Sequence, residues 1–292
     1  LRLKAPRAAS YTNRRDTNRL KPAPHDTRHD PERWHAPQPN PDIHFTRPSL
    51  SGWWYEPDCV LPKPVPLIIA LDRHATLTAL DLVVWNLLIA SAWADIAGPG
   101  QAHFRCEIAD LNAARGVRSR GNRDLKTALQ RLHTVPLEYP LLATTNDGCP
   151  VVTSPLMRWQ LVAGDRELEW LPSPPLLAAL QTVPVYGKVK PRTEVALNSR
   201  AAILLYELLC SRAAMKQRTY ALTLGQLHAL LGTAEKYPRW AALRRQVLEP
   251  ALARVESHTG WTIRIDVAHA PRRPQRVTQV RLTLAGGSRR PM

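Results

Sequence analysis

The sequence predicts an α+β chain of two tandem winged helix-turn-helix domains behind a disordered basic N-terminal arm. Three observations predict it. An apolar helix pattern occurs twice, and the elements after each copy repeat in register roughly 116 to 121 residues apart. Each copy is followed by a strand, a short helix, a glycine and a longer basic helix. Positive charge then gathers on the second copy, where residues 186–292 hold 19 basic and 6 acidic side chains.

A chain of 292 residues has room for two domains and a remainder. The remainder is residues 1–55, rich in Pro, Asn, Asp, Arg and His and without sustained helical or strand periodicity, hence a flexible arm. Such an arm either tracks phosphates or serves solubility alone. Trp34, Trp53, Trp54 and Tyr55 suggest that its end docks on the first domain. The arm has no apolar core of the kind a signal peptide needs. The longest apolar run, 82–94, is interrupted by Asn86 and Ser91 and falls short of the roughly 20 residues of a membrane helix, so a core helix is expected and no membrane partner. Cys59, Cys106, Cys149 and Cys210 are scattered without metal-ligand spacing. They read as reduced thiols of a cytoplasmic protein with no metal or other cofactor.

The first domain is assigned to 56–185. From Thr76 onward, Leu80, Val83, Val84, Leu87 and Leu88 mark one face of a helix begun by a capping Thr and stopped near Gly98-Pro99. A strand at 103–106 follows, then a short helix ending before Gly116, then a basic amphipathic helix at 122–133 with Leu125, Leu129 and Leu132 inward. A hairpin of 150–162 and 167–171 closes it. The second domain, 186–288, repeats the order: a helix at 198–212 whose ILLYELL run matches LVVWNLL of the first, a strand at 218–222, a short helix ending before Gly232, and a basic helix at 239–257. Strands 261–267 and 277–284 form its wing, with the tip at 269–275. Each glycine suits a helix end that needs positive φ. Pro- and Gly-containing stretches put the domain boundary at 172–195, as a linker that permits rotation.

The net charge of +16 suits a polyanion, and its distribution suits duplex DNA. The major groove admits one helix, and Arg on its outer face can bond guanine O6 and N7 in pairs. In the second domain Lys236, Tyr237, Arg239, Trp240, Arg244 and Arg245 lie at or inside the start of the basic helix, with Arg244 the leading base-reading candidate. In the first domain six basic residues, Arg115, Arg118, Arg120, Arg123, Lys126 and Arg131, gather in one stretch. Of these Arg118, Arg120, Arg123 and Lys126, with Asn122, are the DNA-binding candidates. Arg272 and Arg273 at the wing tip either reach backbone or minor groove or lie in a solvent loop.

No catalytic residue is expected. Gly187-Lys188 lacks the remainder of a phosphate loop, and His25, His29, His35 and His44 lack the spacing of a rolling-circle nickase. Asp165, Glu167 and Glu169 alternate as the solvent face of a strand would. Two other classes remain open: a double winged-helix transcriptional repressor, told apart by the absence of tandem direct repeats beside its coding region, and a DNA-nicking replication enzyme, told apart by metal-dependent nicking of supercoiled DNA.

The C-terminal half holds, in this order, Leu197-Asn198-Ser199-Arg200, Leu204 to Leu209, Leu227 to Gly232, Tyr237 to Arg239, Leu243 to Ala251 and the hairpin at Val277-Thr278. These runs carry a resemblance to the iteron-binding theta-type plasmid replication initiators. It covers 186–285 well and 60–180 mainly by domain order. It implies two winged helices straddling successive major grooves of one direct repeat, with most reading done by the helix bearing Arg239, Arg244 and Arg245. It further implies monomers that open an origin with host initiator, replicative helicase and chaperones, and dimers, joined through the first domain, that repress their own gene. The setting it implies is the bacterial cytoplasm, on nucleoid or plasmid DNA.

Overall fold

Residues 59–69, 75–96, 103–117, 122–140, 151–182, 186–271 and 273–285 are described by a computed structural model, all within one compact unit, Gln38–Met292. The whole of the expected arm, 1–55, therefore lies outside the described residues, and so do Arg118, Arg120 and Arg272. The first half runs β1 (Leu61–Pro64), α1 (Val65–Ile68), α2 (Ala79–Ile96), β2 (Phe104–Glu107), α3 (Ile108–Ala114), α4 (Arg123–Thr134), β3 (Pro136–Pro140), β4 (Val151–Pro155), β5 (Met157–Val162), β6 (Glu167–Pro172) and α5 (Pro174–Thr182). The second runs β7 (Tyr186–Val189), α6 (Pro191–Leu197), α7 (Arg200–Ala213), β8 (Thr219–Thr223), α8 (Leu224–Leu231), α9 (Trp240–Leu243), a π-turn (Arg244–Leu248), α10 (Glu249–Thr259), β9 (Thr262–Ala270) and β10 (Arg273–Ala285).

Helix α2 begins where Thr78 and Asp81 bond each other's backbone and side chain, satisfying amides that an open helix end leaves bare. Residues 81–90 are buried on every side rather than on the one face expected. A helix apolar all round is one covered all round. Here α2 packs on α4 within its own half and on α6 and α7 of the other. Its counterpart α7 is likewise buried from Ala202 through Ser211.

Each half closes with a three-stranded sheet, in the order β2-β6-β5 and β8-β10-β9. Along β6, Leu168, Trp170 and Pro172 are buried while Glu167, Glu169 and Leu171 are part exposed, the period-2 alternation of a half-covered strand. Asp165 departs from the expectation. It sits not on the strand but in the β5–β6 turn at φ 62°, a left-handed conformation that Asp tolerates better than most residues. The stretch expected as one strand, 150–162, divides into β4, paired with β3, and β5, paired with β6.

The breaker-rich segment 172–195 is no free linker. Pro174 and Pro191 start α5 and α6, where a missing amide costs no helix bond. Strand β7 pairs antiparallel with β1, Lys63 opposite Gly187. A Cβ on Gly187 would meet Ile68 Cδ1 at 2.7 Å and the Ser211 amide nitrogen at 3.0 Å, so only glycine lets this strand lie against α7. One apolar core runs through both halves.

A polar cluster is embedded where they join. Lys63 donates to Glu207 Oε1 at 2.6 Å, and the Asn86 amide lies 2.6 Å from the same oxygen and 2.8 Å from both oxygens of Glu194. Burial, and next the Glu207 carboxylate, hold the Glu194 carboxyl well above its ordinary value. A protonated Glu194 leaves one ammonium facing one carboxylate, a charge-balanced arrangement that a dry interior tolerates.

Candidate nucleic-acid interface

In the second half the site is built on α8. Thr223 Oγ1 accepts from the Gln226 amide at 3.1 Å and Gln226 Oε1 from the Thr223 amide at 2.8 Å, a reciprocal cap that fixes where α8 starts. Gly232 ends it at φ 63°, as expected, and the Thr233 amide bonds back to His228 O at 3.1 Å. Gly116 at φ 72° does the same after α3. His228 Nδ1 lies 3.0 Å from Thr233 Oγ1, and burial holds its imidazole below the ordinary range, so the turn carries a neutral ring.

The turn delivers the chain to a long helix that begins at Trp240. Leu243 and Leu248 are buried against the core, which leaves Arg239, Ala241, Arg244, Arg245, Gln246 and Glu249 exposed on its outer side. Lys236 is exposed too, its ammonium 5.4 Å from the centre of the Tyr237 ring, while Tyr237 and Trp240 are half-buried and pack on the core. The one helix expected at 239–257 is not regular. Pro250 has no amide to give Gln246 O and its ring would collide there, and the preceding turn widens so that the Glu249 amide reaches Arg244 O.

Between the start of α8, residues 238–241 and β10 lies an open cleft bordered by Thr223, His228, Arg239, Trp240, Arg276 and Thr278. Arg276 was not among the sequence candidates, although it flanks the wing tip. Its signal was available: Val277 and Val280 are buried on β10, and the exposed Arg276 stands beside the first of them. Arg273 is placed on β10, opposite Ala270.

In the first half the exposed face of α4 carries Arg123, Lys126, Thr127 and Gln130. The expected basic patch is thinner than its composition. Arg131 is spent on Asp81, which is fully buried: its Nε and Nη2 donate to the two carboxylate oxygens at 2.7 and 2.9 Å, tying α4 to α2. Arg115 turns toward Asn112 Oδ1 at 3.2 Å, and burial lowers its guanidinium from the ordinary value. Asn122 accepts from Asn112 at 3.0 Å, joining the ends of α3 and α4, and Lys126 meets Asp165 at 2.7 Å. Arg123 is thus the cation of α4 left with no side-chain partner among the described residues.

Residues 223–284 match the family model described as initiator Rep protein, WH2. The initiator Rep match runs from the capping Thr223 through α8, the turn and the basic helix to both wing strands, about a fifth of the chain. Among solved structures the chain is similar to the Pi initiator protein in complex with iteron DNA, with 15% identity and a TM-score of 0.59, over 77% of this chain and 96% of that one. At that identity the likeness establishes the fold, tandem winged helices, for both halves. Domains 2 and 3 of RctB align over 71% of this chain and 82% of that one, with 12% identity and a TM-score of 0.41. No curated protein matches the chain.

Proposed function

We propose that the chain is a plasmid replication initiator that binds direct-repeat (iteron) duplex DNA at an origin and promotes its opening. The observation that carries this reading is the initiator Rep WH2 match, because it falls on α8, the turn, the basic helix and the wing that together bear the exposed cations. The second domain, 186–288, supplies most of the sequence reading through Arg239, Arg244 and Arg245, with Lys236, Tyr237 and Trp240 beside them. Arg276 joins Arg272 and Arg273 as a wing contact to backbone. The first domain, 56–185, positions phosphates through Arg118, Arg120, Asn122, Arg123 and Lys126, and forms the dimer that represses the chain's own gene. The work is binding and deformation of DNA rather than bond chemistry. It takes place in the bacterial cytoplasm with host initiator, helicase and chaperones as partners.

Nuclease footprinting on the non-coding DNA beside the gene tests the reading. Protection of several tandem repeats about two helical turns apart supports it. Protection of a single inverted site reduces the role to repression, and nicked circles from supercoiled plasmid with a divalent metal would make the chain an enzyme.

A further inference from the structure

Arg244 and Glu249 stand five residues apart, a spacing that an α-helix of about 3.6 residues per turn places roughly 140° apart around its axis. Yet Arg244 Nε donates to Glu249 Oε1 at 2.7 Å. They meet because the turn between them is a π-turn, whose i to i+5 bonding brings the fifth residue back over the first. Pro250 is what widens it. Three successive features of the sequence, an arginine, a glutamate and a proline, therefore fix one guanidinium on the outer side of the helix.

We propose that Glu249 is a positioning residue for base reading by Arg244. Gripped at Nε, the guanidinium presents its two terminal nitrogens outward as a fork, the shape that bonds guanine O6 and N7 together. Both side chains are nearly half exposed, 47% and 46%, so the fork stands where the helix would meet a duplex. An exposed ion pair adds little to stability, and a carboxylate beside DNA repels phosphate. Orientation is what Glu249 has to offer there. Arg239 and Arg245 on the same helix have no side-chain partner among the described residues, and they remain free to follow phosphate oxygens. The helix thus separates one held arginine for sequence from mobile ones for affinity. This rests on the reading of the chain as a sequence-specific initiator and adds the group that sets its specificity.

Duplexes selected by the full-length chain from a random-sequence pool provide the target. Competition titrations at fixed salt then compare its binding with that of single-base variants and of random duplex, for the wild type, Glu249→Ala, Arg244→Ala and the double variant. Glu249→Ala is expected to narrow the preference at one guanine by about tenfold, part of what a bidentate contact supplies, while binding random duplex at least as tightly as before. The double variant should discriminate no worse than Arg244→Ala alone, because Glu249 acts through Arg244. Wild-type preference in Glu249→Ala, or losses that add in the double variant, would overturn the positioning role and leave the initiator reading standing. A wild type that binds selected and random duplex alike would overturn that reading, and the role of Glu249 with it.

Discussion

Asn86 and Glu207 bond each other across the junction of the two halves, and they occupy the same place in the internal repeat. Each follows the aromatic of its helix, Trp85 in one and Tyr206 in the other, and the Asn86 amide lies 2.6 Å from Glu207 Oε1. The paired strands β1 and β7 precede α2 and α7 in their respective halves and run antiparallel. Equivalent elements paired with each other in antiparallel sense describe a pseudo-two-fold relation, and its contact is polar where the flanking core is apolar.

Removing the cation from that junction should be costly. Lys63→Met leaves the Glu207 carboxylate buried without its ammonium partner, and breaking a buried pair in this way costs about 3–5 kcal/mol. Urea unfolding of the full chain checks it. A loss below about 1 kcal/mol, the range of surface pairs, would mean that water reaches the cluster.

The same cluster sets a pH dependence. Glu194 has its carboxyl raised above the ordinary 4.5, so its contribution to stability is complete below that pH and is lost as pH rises through the raised value. Thermal unfolding should therefore show stability falling with rising pH over that window. Glu194→Gln, which keeps the neutral form's shape, should flatten this component. An identical slope in wild type and variant would contradict the assignment.

Gly232→Ala should destabilise the chain by at least about 1–2 kcal/mol, the cost of placing a side chain in the left-handed region. Here φ is 63°, and the new Cβ would also collide with the Cβ of Ala75 from the first half. Denaturant midpoints measure it, and an unchanged midpoint would show that the turn can relax away from Ala75.

The repeated order of elements was legible in the sequence because capping residues, glycines and apolar spacing are local signals. So were the wing strands and the outward face of the second basic helix. What was not legible depended on partners distant in the chain. Arg131 and Arg115 count as charge in any composition, yet Asp81 and Asn112 engage them. The segment 172–195 reads as a linker by its prolines, but those prolines open helices, and β7 has a mate 124 residues earlier in Lys63 opposite Gly187. The π-turn was readable in part, since Pro250 inside a helical pattern announces an interruption. Its consequence for Arg244 and Glu249 was not, because an i, i+5 pair is out of reach in a regular helix.

Arg244→Ala should cost about 1–3 kcal/mol on the selected repeat and relax preference at one base, whereas Arg123→Ala should weaken all duplexes alike. Fluorescence anisotropy on matched and mismatched duplexes distinguishes them. Equal losses on repeat and random DNA for Arg244→Ala would remove its role in reading sequence.

Sequence-specific DNA binding is measured most simply by the affinity of the full chain for the direct-repeat duplex and for random duplex across a salt series. If the two domains neutralise about eight phosphates, log affinity should fall against log salt with a slope of about −7. The repeat should be bound about a thousandfold or more tighter than random DNA at physiological salt. A slope near zero would show that phosphate contacts do not drive binding, and equal affinity for both duplexes that the chain does not read sequence.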